Sequence, residues 1–95
     1  MKTVIKFGAT WCSPCKQLSP IFTKVAHEFA QEFADQYQFV EIDVDEKPDV
    51  ASSYGIRSIP TLVITDENDK IVAMKNGYMS KEDMERFIKN ELAHQ

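Results

Sequence analysis

A long helical stripe lies between two short apolar runs, and this arrangement limits the folds open to the chain more than any other pattern in it. From Ser13 to Ala34, the residues Leu18, Ile21, Phe22, Val25, Ala26, Phe29, Ala30 and Phe33 recur at spacings of three and four. That places them on one face of an amphipathic helix. Pro20 falls inside the stripe, lacks an amide N–H and crowds the preceding turn, so a bend is expected there. Thr3–Ala9, with Val4, Ile5 and Phe7, reads as a strand before the helix, and Gln38–Val44, with Phe39, Val40, Ile42 and Val44, as a strand after it. Strands joined by a helix of this length run parallel, with a right-handed crossover.

The remaining pattern completes a sheet. Pro48 opens a short helix that Gly55 ends. Leu62, Val63 and Ile64 form a third strand, and Ile71, Val72 and Ala73 a fourth, joined as a hairpin through Asp66-Glu67-Asn68-Asp69. A last helix starts at Ser80. Asp83 stands three residues on as a variant capping box, Met79 and Met84 are placed as a hydrophobic staple, and Met84, Phe87, Ile88 and Leu92 form the buried face. The expectation is a single α/β domain over residues 1–95, a four-stranded mixed sheet in the order β-α-β-α-β-β-α with helices on both faces.

The two cysteines sit where the first strand turns into the long helix, as Trp11-Cys12-Ser13-Pro14-Cys15. A bridge this local restricts the unfolded chain little, so the pair is better explained by chemistry than by stapling. At a helix N-terminus, the free N–H groups and the dipole favour thiolate over thiol at the first cysteine. The thiolate is the nucleophile of disulfide exchange, and the second thiol is placed to resolve the mixed disulfide. Two other readings stand beside this one. A structural zinc site needs four ligands, but His27 and His94 lie 12 and 79 residues beyond Cys15 without paired spacing. No metal site is therefore expected. The cysteines could also be idle buried thiols acting as small hydrophobes.

Composition bears on the setting. A net charge of −4 argues against a nucleic-acid partner. No segment approaches the roughly 20 apolar residues of a membrane span. Met1-Lys2-Thr3-Val4-Ile5-Lys6 has neither a long apolar stretch nor a cleavage site, so no signal peptide and a cytoplasmic location are expected. A cysteine pair in that reducing compartment is more often catalytic or metal-binding than structural.

Phe7-Gly8-Ala9-Thr10 leads into the cysteine motif, and Pro20 stands five residues beyond Cys15. Tyr54-Gly55-Ile56-Arg57-Ser58-Ile59-Pro60-Thr61 leads into the third strand, and Asn76-Gly77 follows the fourth. In this order, through nearly the whole chain, the segments resemble the thioredoxin family. The resemblance implies that Cys12 attacks and that Cys15 is the buried resolving cysteine. It implies a cis Ile59-Pro60 bond in a loop lying against the pair; a trans proline opening a strand is the alternative. Trp11, Ser13, Pro14, Ile59, Pro60 and Gly77 resemble the surface where substrate disulfides dock, although Trp11 alone could be a core-edge aromatic. The implied activity is that of a dithiol–disulfide oxidoreductase reducing protein disulfides. It would have no bound cofactor and would take electrons from a thioredoxin reductase-like partner using NADPH. A glutaredoxin-like enzyme using glutathione, and a thioredoxin-fold interaction module, are the alternatives.

Three departures from the family pattern affect these expectations. Ser-Pro separates the cysteines where Gly-Pro is usual, and that dipeptide helps set redox poise. The family's usual additional strand and helix ahead of the cysteine-bearing strand are not expected, since that strand starts at Thr3. Gln38–Val44 would then be a sheet edge, in a protein expected to be a monomer with that edge open to weak pairing with a second copy. Lastly, Lys6 and Glu41 stand where the family usually carries Asp and Lys. Strand alternation puts Val4, Lys6 and Gly8 on one face, and Phe39, Glu41 and Asp43 on one face of the neighbour. The expectation is an ion pair with its signs exchanged, serving proton transfer with Cys15. The alternative is a Lys6 that snorkels to solvent and a Glu41 that is an ordinary surface carboxylate.

Overall fold

The computed structural model describes residues 1–93, with the side chains of Asp35, Leu92 and Ala93 excepted. Leu92 as a core residue and His94 as a metal ligand therefore lie outside what is described. The elements are β1 (Lys2–Gly8), α1 (Ser13–Glu32), a 3-10 turn (Ala34–Gln36), β2 (Tyr37–Asp43), α2 (Pro48–Ser53), β3 (Thr61–Thr65), β4 (Ile71–Asn76) and α3 (Lys81–Ala93). The sheet order is β2-β1-β3-β4, with β1 and β2 parallel and both β1–β3 and β3–β4 antiparallel. This is the expected four-stranded mixed sheet. No described helix is long and apolar enough to cross a membrane.

Both parallel strands begin and end one residue earlier than the apolar runs suggested. Helix α1 stops at Glu32, two residues short of the expected end. Phe33 caps it, donating its N–H to the Phe29 carbonyl at 2.8 Å, and Ala34 follows with φ of +44°. An apolar stripe reports which face is buried, and Phe33 still packs inward beyond the last helical turn. With neither Gly nor Pro at this end, nothing local marked the stop. Pro20 lies inside α1, which runs unbroken through it.

The two sheet faces carry separate apolar clusters. Val4, Leu62 and Ile64 pack under α1 and α3 against Leu18, Phe22, Val25, Phe29, Met84 and Ile88. On the other face, Ile5, Phe7 and Val63 pack with Ala51 of α2 and with the flanking Tyr54, Ile56 and Ile59. Helix α3 starts as its sequence indicates: Ser80 Oγ accepts the Asp83 N–H at 3.1 Å, and Met79 and Met84 are buried in the same cluster. The Asp83 carboxylate turns outward, to Arg86 Nη1 at 2.8 Å, and leaves the reciprocal half of a capping box unmade.

Two half-buried carboxylates are expected to make the fold acid-sensitive. In the hairpin turn, Asp66 Oδ1 accepts the N–H groups of Asn68 at 2.8 Å and Lys70 at 3.0 Å. These bonds, Lys70 first, hold its pKa below the ordinary carboxylate range. Lys81 of α3 reaches Glu28 of α1 at 2.9 Å and Glu85 at 3.0 Å. The bond from Lys81 likewise lowers the pKa of Glu28, and the bond from Glu28 is the first cause that raises the pKa of Lys81. A depressed folded-state pKa means that the unfolded chain binds more protons in acid. The stabilisation is complete above the ordinary carboxylate range and is lost as pH falls through the lowered values. Denaturant midpoints should therefore drop below about pH 5, and Asp66→Asn should flatten that acid limb. An acid limb of the same steepness in the variant would remove Asp66 from this account.

Candidate redox site

Strand β1 delivers the chain at Gly8 to a turn in which the Cys12 N–H donates to the Ala9 carbonyl at 3.2 Å. Cys12 is the N-cap of α1. It has extended backbone angles, and its Sγ accepts the Cys15 N–H at 3.3 Å. The sulfur thus occupies the place usually taken by a Ser or Asp oxygen at a helix start. Pro14 falls in the first turn, where a missing amide costs nothing, and no acidic residue stands there to oppose a negative sulfur. Cys12 and Cys15 form a disulfide with Cα atoms 5.2 Å apart. Cys12 is 6% exposed and Cys15 2%, so both are buried, Cys15 more deeply.

The loop ahead of β3 closes on this pair. Ile59 packs with Ala9, Cys12 and Cys15, and the Ile59-Pro60 peptide is cis. The Gly77 N–H donates to the Pro60 carbonyl at 2.7 Å, from a backbone with φ of +91° that favours glycine. Thr61 Oγ1 donates to the Ser58 carbonyl at 2.6 Å and lies 3.0 Å from Asn76 Oδ1. The start of β3 is thereby tied to the end of β4. Ser13 and Pro14 are exposed beside this loop, and Trp11 is 67% exposed. So open an indole is not a core-edge residue. Its Nε1 donates to Asp45 Oδ2 at 2.7 Å, and Asp43 Oδ1 in turn accepts the Asp45 N–H at 2.8 Å. Asp45 was not legible as a site residue, because no spacing rule links it to Trp11.

Behind the disulfide lies a cavity of about 390 Å³, lined among others by Lys6, Gly8, Cys15, Ser19, Glu41 and Asp43. Lys6 and Glu41 are register partners across β1 and β2. The ion pair is not made: among the described residues, no Lys6–Glu41 contact falls within 4 Å. Lys6 is 4% exposed, whereas Glu41 is exposed. Strand β1 has neighbours on both sides and a helix above it, while β2, among the described residues, has a neighbour on one side only. A carboxylate on that edge keeps its water and avoids the desolvation that pairing inside would cost. Gly8 was missed as a site residue. A Cβ there would sit 3.2 Å from Lys6 Nζ and 3.3 Å from Cys15 Sγ, so its lack of a side chain leaves room for both. Among the described residues, no group of three or more His, Cys, Asp or Glu is disposed to hold a metal.

Known proteins resemble this chain in sequence and in fold. The thioredoxin family model matches residues 1–90. Thioredoxin 1 of Synechococcus elongatus is 44% identical over 68 residues, which cover 72% of this chain and 60% of that protein's length. The thioredoxin of Mycoplasmoides gallisepticum is 39% identical over 88 residues, covering 93% of this chain and 82% of its own. In three dimensions, oxidised mitochondrial thioredoxin 3 of Saccharomyces cerevisiae superposes with a TM-score of 0.80 at 34% identity, covering 94% of this chain and 77% of its own. A disulfide at the start of α1, faced by the Ile59-Pro60 loop on a β2-β1-β3-β4 sheet, agrees with that match over nearly the whole chain, and the chain belongs to the thioredoxin family of dithiol–disulfide oxidoreductases.

Proposed function

We propose that this protein reduces disulfide bonds in other proteins, with Cys12 as the attacking thiolate and Cys15 as the resolving thiol. The observation that carries this reading is the position of Cys12 Sγ at the cap of α1, accepting the Cys15 N–H with no carboxylate in the first turn. In the reduced protein, this environment favours the Cys12 thiolate. The thiolate attacks one sulfur of a substrate disulfide, and the other substrate sulfur leaves with the bonding electron pair. Cys15 then attacks Cys12 Sγ. The Cys12–Cys15 bond forms, the mixed disulfide breaks, and the second substrate sulfur leaves as a thiolate. The substrate gains two electrons and the protein loses two.

Exposed Trp11, Ser13 and Pro14, with half-buried Ile59 and Gly77 and buried Pro60 at their base, supply the docking surface, with Asp45 orienting the indole. No bound cofactor takes part. Electrons return from a thioredoxin reductase-like flavoenzyme using NADPH, and the working compartment is the reducing cytoplasm. The protein acts as a monomer, with β2 as the edge through which copies would pair weakly at high concentration.

Insulin-disulfide reduction tests this reading. Turnover is expected with NADPH and thioredoxin reductase, and little with glutathione, glutathione reductase and NADPH. Preference for the glutathione arm would make the protein glutaredoxin-like. Failure of both arms, with tight binding to a partner retained after both cysteines are changed to serine, would make it an interaction module.

A further inference from the structure

Among the described residues, Lys6 is the one buried ionisable side chain beside the disulfide that the exchange steps above leave unused. Its Nζ and Cys15 Sγ both approach the same point, 3.2 Å and 3.3 Å from where a Cβ on Gly8 would stand. The ammonium and the resolving sulfur therefore flank one small space. In the oxidised protein that sulfur is neutral, and no carboxylate of the described residues lies within 4 Å of Lys6. A buried cation without a counter-charge is costly, and a thiolate forming on Cys15 would supply one.

We propose that Lys6 acts alone, as a fixed cation that stabilises the thiolate of Cys15 and so speeds resolution of the mixed disulfide. This rests on the reading of Cys15 as the resolving cysteine. Lys6 forms no bond to substrate and is a positioning residue. The Cys15 proton leaves through the cavity to water, and Cys15 then attacks Cys12 Sγ as the substrate sulfur departs with its electron pair. The other charged groups lining the cavity are Lys16 from α1, Glu41 and Asp43 from β2, and Glu46 beyond it. Lys16, Glu41 and Glu46 are exposed and Asp43 half-buried, so water screens their fields more than that of Lys6. The expected Lys6–Glu41 relay is thereby replaced by a single cation, with Glu41 on the solvent side.

Single-turnover kinetics separate the steps. Reduced protein is mixed with an aromatic disulfide whose thiolate product is coloured; the first release reports attack by Cys12 and the second reports resolution by Cys15. Lys6→Met keeps the length of the side chain and removes its charge. It should raise the pH midpoint of the second phase by about one unit or more, and slow that phase about tenfold at pH 7, with the first phase little changed. Lys6→Arg should restore the wild-type midpoint. Gly8→Ala keeps Lys6 and forces the ammonium and the sulfur apart. It should shift the midpoint the same way, and it serves as the test should Lys6→Met fail to fold. An unchanged second-phase midpoint in Lys6→Met, or in Gly8→Ala where the first variant is unfolded, overturns the proposal. So does a Glu41→Gln variant that moves the midpoint as far as Lys6→Met, because the two residues would then act as a pair. Wild-type protein that shows no second phase at all would instead overturn the assignment of Cys15 as the resolving thiol.

Discussion

Cys15→Ser should lower insulin-reducing turnover on the order of a thousandfold while leaving the first attack intact. The reason is entropic. Cys15 sits within α1, with its N–H on Cys12 Sγ at 3.3 Å. Its thiol is therefore presented to the mixed disulfide without a second encounter. Well-oriented intramolecular groups reach effective molarities of about 10⁵ M or more, whereas an external thiol acts at millimolar concentration. Even a small share of that advantage accounts for a loss of this size. The variant should accumulate a covalent complex through Cys12, visible on a non-reducing gel and released by dithiothreitol. Trapping through Cys15 in Cys12→Ser, with none in Cys15→Ser, would exchange the two roles.

Phe29→Ala should cost about 3–5 kcal/mol, a large share of the roughly 5–15 kcal/mol available to a domain of this kind. Phe29 is 1% exposed, and its ring centroid lies 5.1 Å from that of Phe33, 5.6 Å from Tyr37 and 5.9 Å from Phe39. It is the common member of contacts that hold the C-terminal half of α1 on β2. Alanine would forfeit the burial and those aromatic contacts and leave a cavity between rigid elements. The melting temperature should fall by roughly 12–25 °C. A loss below about 1 kcal/mol in denaturant titration would mean that this half of the helix contributes little to the core.

The order of elements was legible because each carries its own periodicity. The stripe of α1, the apolar runs of β1 and β2 and the turn chemistry of Asp66 are local signals, and each led to the element observed. The ends of elements were less legible. Helix α1 stops at Glu32 because the chain turns at Ala34 toward β2, and no residue there advertises the turn. The cysteine motif and the Ile59-Pro60 segment could be read as one site only through resemblance to a family. Some 44 residues separate Cys15 from Pro60, and no local rule joins them.

Charge was where local reading fell short. Strand alternation allowed Lys6 and Glu41 to share one sheet face, and the structure places them in register there. Whether they pair depends on desolvation, which is a property of the whole sheet. Lys6 lies on an interior strand under a helix, and Glu41 lies on the edge beside water. The same holds for Trp11, whose exposure and bond to Asp45 follow from the way β2 delivers its C-terminal turn beside the cysteines. Periodicity and turn chemistry are written in neighbouring residues, so the chain alone specifies which elements form and in what order. Burial, pairing and access to water arise only when those elements pack, and they decide which charge stands beside the reactive sulfur.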